Sequence, residues 1–379
     1  MNFATSPEFA PLSGIDEYLI HNAPMPQRVM WTSDPRTFER TWFTAQDRSG
    51  ELLVVCGMGF YPGMDAADAY AIVVHRGVMR YTRFHRRLGL DRMNMAFGPL
   101  AWEIIAPFKT WKLSLAENPH GISYELYWHD TKRPVFSTAM GAVEAAGRHE
   151  YAAGSVPKTG DHVGYEGFGA VEGWVTVDGQ RFELDTARFN GSRDHHWGIR
   201  DGVGGIGTTS TRPEHAGQWV EFPDWSLWGA KMMHPIGHER AGAGRIQSVD
   251  RKLRFDNDTG EFREGVITNI DTQGRTRELH FRRLGYQSAY LRCGGYGHST
   301  PDGGGTHGIY PGQDTLYGGC MDLNDVAVRR SLGHLVDHHC EVSCGNETTS
   351  GLLECYEPFL RTSCEQGRPG FAFLSEGAQ

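Results

Sequence analysis

The sequence predicts an all-β protein, two tandem β-barrels or sandwiches with few short helices. Three observations predict it. Glycine is abundant, 49 of 379 residues against roughly 7% in average usage, and with 18 prolines it is scattered rather than clustered, which implies many tight turns. Short apolar runs alternate with turn residues along the whole chain. Clean helical periodicity is scarce.

In chain order, residues 1–35 are rich in Pro, Ser and Asp and are expected to wrap the surface. A strand–turn–strand rhythm begins near Arg36, where Trp42 and Phe43 lead into "DRSG" and then "ELLVVCGMGF". "AYAIVVHRG" and "VMRYTRFHR" flank a glycine turn, and residues 102–130 give three more strands separated by "AP" and "ENPHG". "TAMGAVEAAGRHEY" is the best candidate for a short helix. The breaker-rich "GSVPKTG" that follows marks a linker, dividing the chain into units of residues 1–156 and 157–379. Beyond it the rhythm resumes around Asp178-Gly179, the strongest hairpin signal in the chain. Later turns are expected at "DNDTG" and "DTQG".

Composition narrows the function classes. A formal charge of -9 argues against a nucleic-acid partner, because phosphate binding needs a concentrated basic surface. The one basic run, Arg80 to Arg92, is interleaved with Tyr81, Phe84 and Leu88 and reads as a strand and turn with a basic exposed face. No secretory signal opens the chain and no apolar run is long enough to span a membrane. The expected setting is therefore the cytoplasm, with the seven cysteines as thiols.

Residues 191–207, "GSRDHHWGIRDGVGGIG", combine two signals. Gly202 to Gly207 fit G-x-G-x-x-G, but that turn needs a buried strand before it and a helix after it. Neither flank supplies one, so these glycines are read as a sharp loop and no dinucleotide or other cofactor is expected. The first half can do acid–base chemistry. If it is extended, Arg193, His195 and Trp197 share one face and Asp194 and His196 the other. A histidine beside a carboxylate holds a proton near neutral pH. The competing reading is a buried polar network in which Asp194 and Arg200 satisfy backbone groups at a strand end.

Other candidates are weaker. "EFPDWSLW" mixes Glu221, Asp224, Trp225 and Trp228. His234 and His238 are four apart, but Pro235 spoils a helix. Asp337, His338, His339, Cys340, Cys344, Cys355 and Cys364 are metal-ligand types without paired C-x-x-C spacing. Tyr61, Tyr124, Tyr127, Tyr165 and Tyr296 are candidate proton donors, Tyr165 lying beside Glu166 near the expected junction.

The segment "GWVTVDGQRFELD…GSRDHHWGIRDG" resembles the tandem lipocalin-like group that contains carotenoid 1,2-hydratases (hydroxyneurosporene synthases) and AttH-like proteins, marked by R-D-H-S-W-G-x-R. "GMGFYPGMDAADAYAIVVHRG" and "GPLAWEIIAPFKTWKLSLAENPHGISYELYW" resemble further segments of the group, so the likeness covers most of residues 38–230. It singles out Arg193, Asp194, His195, Trp197, Gly198 and Arg200, while His196 replaces the usual serine. It implies two lipocalin-like barrels, a pocket between them, and work on apolar isoprenoid or polyketide-like molecules without redox cofactors.

The resulting expectation is a cofactor-independent lyase or isomerase. It would act by hydration, dehydration or retro-aldol-like cleavage on an apolar aromatic, steroid or terpenoid molecule. Asp194, His195, His196, Arg200 and Tyr165 are the expected catalytic groups, and Trp197, Tyr61, Glu221, Trp225 and Tyr124 the binding groups; no metal is assigned. Expected partners are that small molecule and at most a second copy of the chain. The alternatives are a non-catalytic carrier of a hydrophobic ligand and a metalloenzyme using the 337–364 His/Cys cluster.

Overall fold

The computed structural model describes residues 14–20, 34–132, 134–137, 162–206, 216–229, 236–239, 242–271, 273–297, 299–333 and 335–375. A first group of strands is β1 (Thr37–Asp47), β2 (Leu52–Tyr61), β3 (Ala66–His75), β4 (Val78–Arg87), β5 (Ala96–Phe97) and β6 (Leu100–Ala106). There follow β7 (Thr110–Leu115), β8 (Ile122–Asp130), β9 (Val135–Ser137), β10 (His162–Val177), β11 (Gln180–Leu184) and β12 (Phe189–Ile199). The chain continues through β13 (Ala216–Glu221), β14 (Trp225–Gly229), β15 (Ile236–Glu239), β16 (Gly242–Phe255), β17 (Phe262–Asp271) and β18 (Thr276–Tyr290). It ends with β19 (Thr315–Asp322), helix α1 (Val326–Leu332), β20 (Leu335–Cys344), β21 (Glu347–Tyr356), helix α2 (Glu357–Glu365) and β22 (Phe371–Phe373).

Two sheets result. The first runs β19-β4-β3-β2-β1-β12-β10-β8-β7-β6-β5, with β9 and β11 paired onto β10. It curls until its β4 and β5 ends meet, where the Arg86 side chain donates to the Ala96 and Asn94 carbonyls at 2.9 and 2.6 Å. The second runs β15-β14-β13-β21-β20-β18-β17-β16, and β15 also pairs with β16. Those eight strands therefore close into a barrel, with β22 added in parallel to β16. The all-β prediction holds.

Sequence pattern and burial agree. β2 and β3 read as near-continuous apolar runs because they are buried on both faces. Inward, Val54, Cys56, Met58, Ala69 and Val73 join Trp111, Leu126 and Trp128 in the first core. Outward, Leu53, Val55, Tyr70, Ile72 and Val74 pack with Trp219, Ala289, Tyr290, Val336 and Leu352 of the second sheet. A separate core of Val220, Leu253, Ile267, Leu279, Phe281 and Val342 fills the closed barrel. The β10–β11 turn has Asp178 and Gly179 at φ of 51° and 79°, the left-handed pair that a two-residue hairpin needs.

Across the expected division at residues 156/157, β10 and β12 pair with β8 and β1, and β19 pairs with β4. Around residues 14–20 the chain inserts rather than wraps, burying Glu17 and Leu19. The basic run is exposed only in part, at Arg87. Arg83, Arg86 and Arg92 are buried, because Asp302, backbone carbonyls and Glu39 meet them from distant parts of the chain. The helix candidate at 138–151 and the linker at 154–160 lie outside the described residues. All seven cysteines are free thiols, as expected.

Candidate functional site

β12 runs between β1 and β10, and its alternation sorts the motif into two clusters. One lies inside the first sheet. Arg193, wholly buried, meets Glu17 at 2.6 Å and Asp130 at 2.8 Å. His195 meets the Tyr165 hydroxyl at 3.0 Å through Nδ1 and Glu39 at 3.0 Å through Nε2. Tyr165 donates to Glu17 at 2.8 Å, and Arg92 reaches Glu39 at 3.1 Å. Trp197 packs edge-on to His195 with ring centroids 5.3 Å apart. Every one of these polar groups is paired with another inside the protein. His195 and Tyr165 therefore belong to a closed network that ties the N-terminal segment into the sheet, and they lie on the opposite face of β12 from Asp194 and His196.

The second cluster lies on the outer face, against the second barrel. Register builds it in two rows across three strands. Arg40, His196 and Gly164 stand side by side in one; Trp42, Asp194 and Glu166 in the other. Gly164 leaves the space that His196 occupies, since a Cβ there would fall 1.9 Å from His196 Cδ2. His196 Nε2 is 2.9 Å from Glu166 and Nδ1 is 3.4 Å from Asp194. From the second barrel, the Trp219 indole donates to Glu166 at 3.5 Å, and Glu354 and Asp337, opposite each other on β21 and β20, add their charges. Arg40 lies over the Tyr296 ring at 4.7 Å and Arg200 at 5.5 Å.

Electrostatics follow from crowding acids in a dry place. Burial pushes the Asp194 carboxyl up to about 7, with Glu166 and Glu354 adding to the rise and His196 and Arg40 opposing it. Burial likewise raises Glu166 and Asp337 well above the ordinary carboxylate range, each also repelled by Glu354. It lowers His196. Asp194 can therefore hold and exchange a proton near neutral pH.

A third group adjoins the second. Asp68 accepts from Tyr61 at 3.0 Å and from the Gly308 amide at 2.8 Å, and meets His307 Nδ1 at 3.1 Å. Burial works to raise Asp68, but His307, His85 and Arg40 outweigh it and hold it below its ordinary range. His307 is held down at about 3, by burial first and then by Arg40. Its ring centroid is 4.6 Å from that of Tyr296, which also feels Asp194.

Of the sequence-predicted residues, Asp194, His196 and Arg200 come together, with Tyr61 at the edge. Tyr124 is core within the first sheet, and Trp225 is core of the second barrel, stacked on Phe222 at 4.5 Å. Glu221 is occupied by Thr131 at 2.6 Å and Lys132 at 3.2 Å. Val203–Gly205 form a short 3-10 turn after β12, as a sharp loop requires. The side chains of His234 and His238 lie outside the described residues. Sequence reasoning missed Arg40, Asp68, His307, Asp337 and Glu354 as members of one site; all reach it through long-range pairing. Among the described residues, two groups could hold an ion. The ligand atoms of Glu166, Asp194 and His196 lie within 4.8 Å of one another, as do those of His338, Cys355 and Glu357. The first faces Arg40 and Arg200, which compete with a cation.

Fold and geometry together define a two-barrel β protein with a partly buried cluster of carboxylates, His196 and arginines where the barrels meet. Residues 12–243 match DUF8625, a family of unknown function, and the chain belongs to that family. Among solved structures it is similar to an AttH-like protein of Nitrosomonas europaea, with a TM-score of 0.44, 10% identity, and coverage of 84% of this chain and 92% of that one. It is also similar to kievitone hydratase of Nectria haematococca, with a TM-score of 0.38, 10% identity, and coverage of 88% and 93%. No curated protein matches the sequence.

Proposed function

We propose that the chain is a cofactor-independent lyase that adds or removes water by acid–base catalysis on an apolar, ring-containing small molecule held where the barrels meet. The observation that carries this reading is the Asp194–His196–Glu166 cluster, with Glu166 buried and the other two partly so, opposite Arg40 and Arg200. In elimination, a protonated carboxyl of Asp194 or Glu166 delivers its proton to the leaving hydroxyl. A neighbouring base takes the proton from the adjacent carbon, and the C=C bond forms as water departs. Arg40 and Arg200 stabilise negative charge on a conjugated oxygen. Trp42, Tyr70, Tyr296 and Trp219 supply flat apolar surfaces suited to an aromatic or polycyclic substrate.

Mass spectrometry of small molecules co-purifying with the protein identifies the ligand, and its turnover is then followed by the same method. Asp194→Asn should lower kcat by a factor on the order of 100 or more. Should Asp194→Asn and Glu166→Gln both turn over at the wild-type rate, this site is not the catalyst. A defined ligand that the wild type binds but never converts would make the protein a carrier instead.

A further inference from the structure

A different cluster lies inside the second barrel, away from the acid–base centre. β20 and β21 supply it through two i, i+2 pairs, H-x-C at His338 and Cys340 and C-x-E at Cys355 and Glu357, the last opening helix α2. Spacing of two puts both members of a pair on one side of an extended segment. His338 and Cys340 thus point into the barrel, while Asp337 points at the acid–base centre. His338 Nε2 is 2.6 Å from Glu357 Oε2, and Cys355 Sγ is 3.7 Å from the same oxygen. The Cys340 thiol, on the same side of β20, donates to the His338 carbonyl at 3.5 Å.

We propose that His338, Cys355 and Glu357, whose ligand atoms all lie within 4.8 Å of one another, bind one zinc-class divalent ion that braces the second barrel. Around such an ion, with ligand distances of about 2.0–2.3 Å, tetrahedral ligand atoms stand about 3.3–3.8 Å apart. The observed 2.6 and 3.7 Å need only small shifts to reach that. The surroundings match those of a metal ligand. Ser288 Oγ lies 2.9 Å from His338 Nδ1, fixing the ring so that Nε2 faces the other donors, the orienting contact that metal-bound histidines have. The Phe262 amide holds the other Glu357 oxygen at 2.5 Å. One thiolate, one carboxylate and a neutral imidazole balance the charge of a dication, and Arg283, paired with Cys340 across β18 and β20, faces Glu357. On binding, the Cys355 thiol releases its proton to solvent, and neutral His338 ligates through Nε2 with its one ring proton on Nδ1 toward Ser288.

The test uses the full chain, stripped with chelator and dialysed against zinc or cobalt. Elemental analysis should find about one zinc per chain, and the cobalt form should show a thiolate-to-cobalt band with the intense d–d bands of a tetrahedral ion. Cys355→Ser and His338→Gln should abolish tight uptake. Ser288→Ala, which keeps every ligand, should weaken it about 10-fold to 100-fold while its circular dichroism stays native. His196→Asn should bind zinc as the wild type does. No uptake by the wild type, full uptake by the ligand variants, unchanged affinity in Ser288→Ala, or loss in His196→Asn alone would each overturn the assignment.

Discussion

Asp194 is the residue at which function and stability pull apart. Its carboxyl, held at about 7 in the folded chain, returns to an ordinary aspartate value near 3.8 on unfolding. Between those values the folded state binds a proton that the unfolded state has lost, so stability falls as pH rises through the window from about 4 to 7. A rise of roughly three units at about 1.4 kcal/mol each sets an upper limit near 4 kcal/mol. The side chain is 24% exposed, and the measured cost should be nearer half that limit. Asp194→Asn removes the ionisation, so at pH 7.5 it should stabilise the protein by about 2 kcal/mol, measured by urea unfolding, with little gain at pH 4. The same substitution is the one expected to lower turnover by a factor on the order of 100 or more. If Asp194 is the proton donor, kcat declines as pH rises above about 7, because the acid form is then lost. A variant neither more stable at pH 7.5 nor altered in pH profile would mean that Asp194 is an ordinary surface carboxylate.

Among the elements, β10 and β12 form the site by register, and Gly164 is where that register is most exposed to test. A methyl group there would collide with His196 Cδ2 and with the His195 carbonyl, 2.2 Å away. Gly164→Ala should therefore displace His196 from Glu166 and cost at least tenfold in turnover. Melting should fall by only a few degrees, because the cores of both barrels are untouched. Unchanged turnover would show that His196 is not needed where it stands. Much of this was legible in the sequence. Glycine turns at Asp178-Gly179 and Arg76-Gly77 placed the hairpins, and the period of two correctly separated Asp194 and His196 from His195 and Trp197. What could not be read was the register across strands far apart in sequence, which brings Arg40 beside His196 and Glu166 beside Asp194. The buried arginines failed for the same reason. Arg83 looks like a surface cation until Asp302, more than two hundred residues on, arrives at 2.6 Å.

The whole molecule behaves as one folding unit if the contacts between its sheets mean what their chemistry implies. β19, from the second half of the chain, is an edge strand of the first sheet. Asn190 and Ser350 exchange two hydrogen bonds across the junction, at 3.2 and 2.6 Å, and Gln287 bonds to the Gly50 carbonyl and the Gly77 amide. The apolar content is larger. Trp42, Leu53, Val55, Ile72 and Val74 are covered only when the second barrel is present. At about 1.5–3 kcal/mol for each buried side chain, their exposure would cost on the order of 10 kcal/mol. That matches the entire stability of a typical domain, about 5–15 kcal/mol. A fragment ending at residue 215 would also lack β19, leaving the β4 edge open to intermolecular pairing. Such a fragment should be insoluble or molten, and the intact chain should unfold in urea as a single transition. Far-ultraviolet circular dichroism and tryptophan fluorescence should then give coincident curves. Two separated transitions, or a soluble fragment with native-like near-ultraviolet dichroism, would show that each barrel stands alone. The junction would then be a docked surface, and the acid–base centre would be assembled only when the barrels meet.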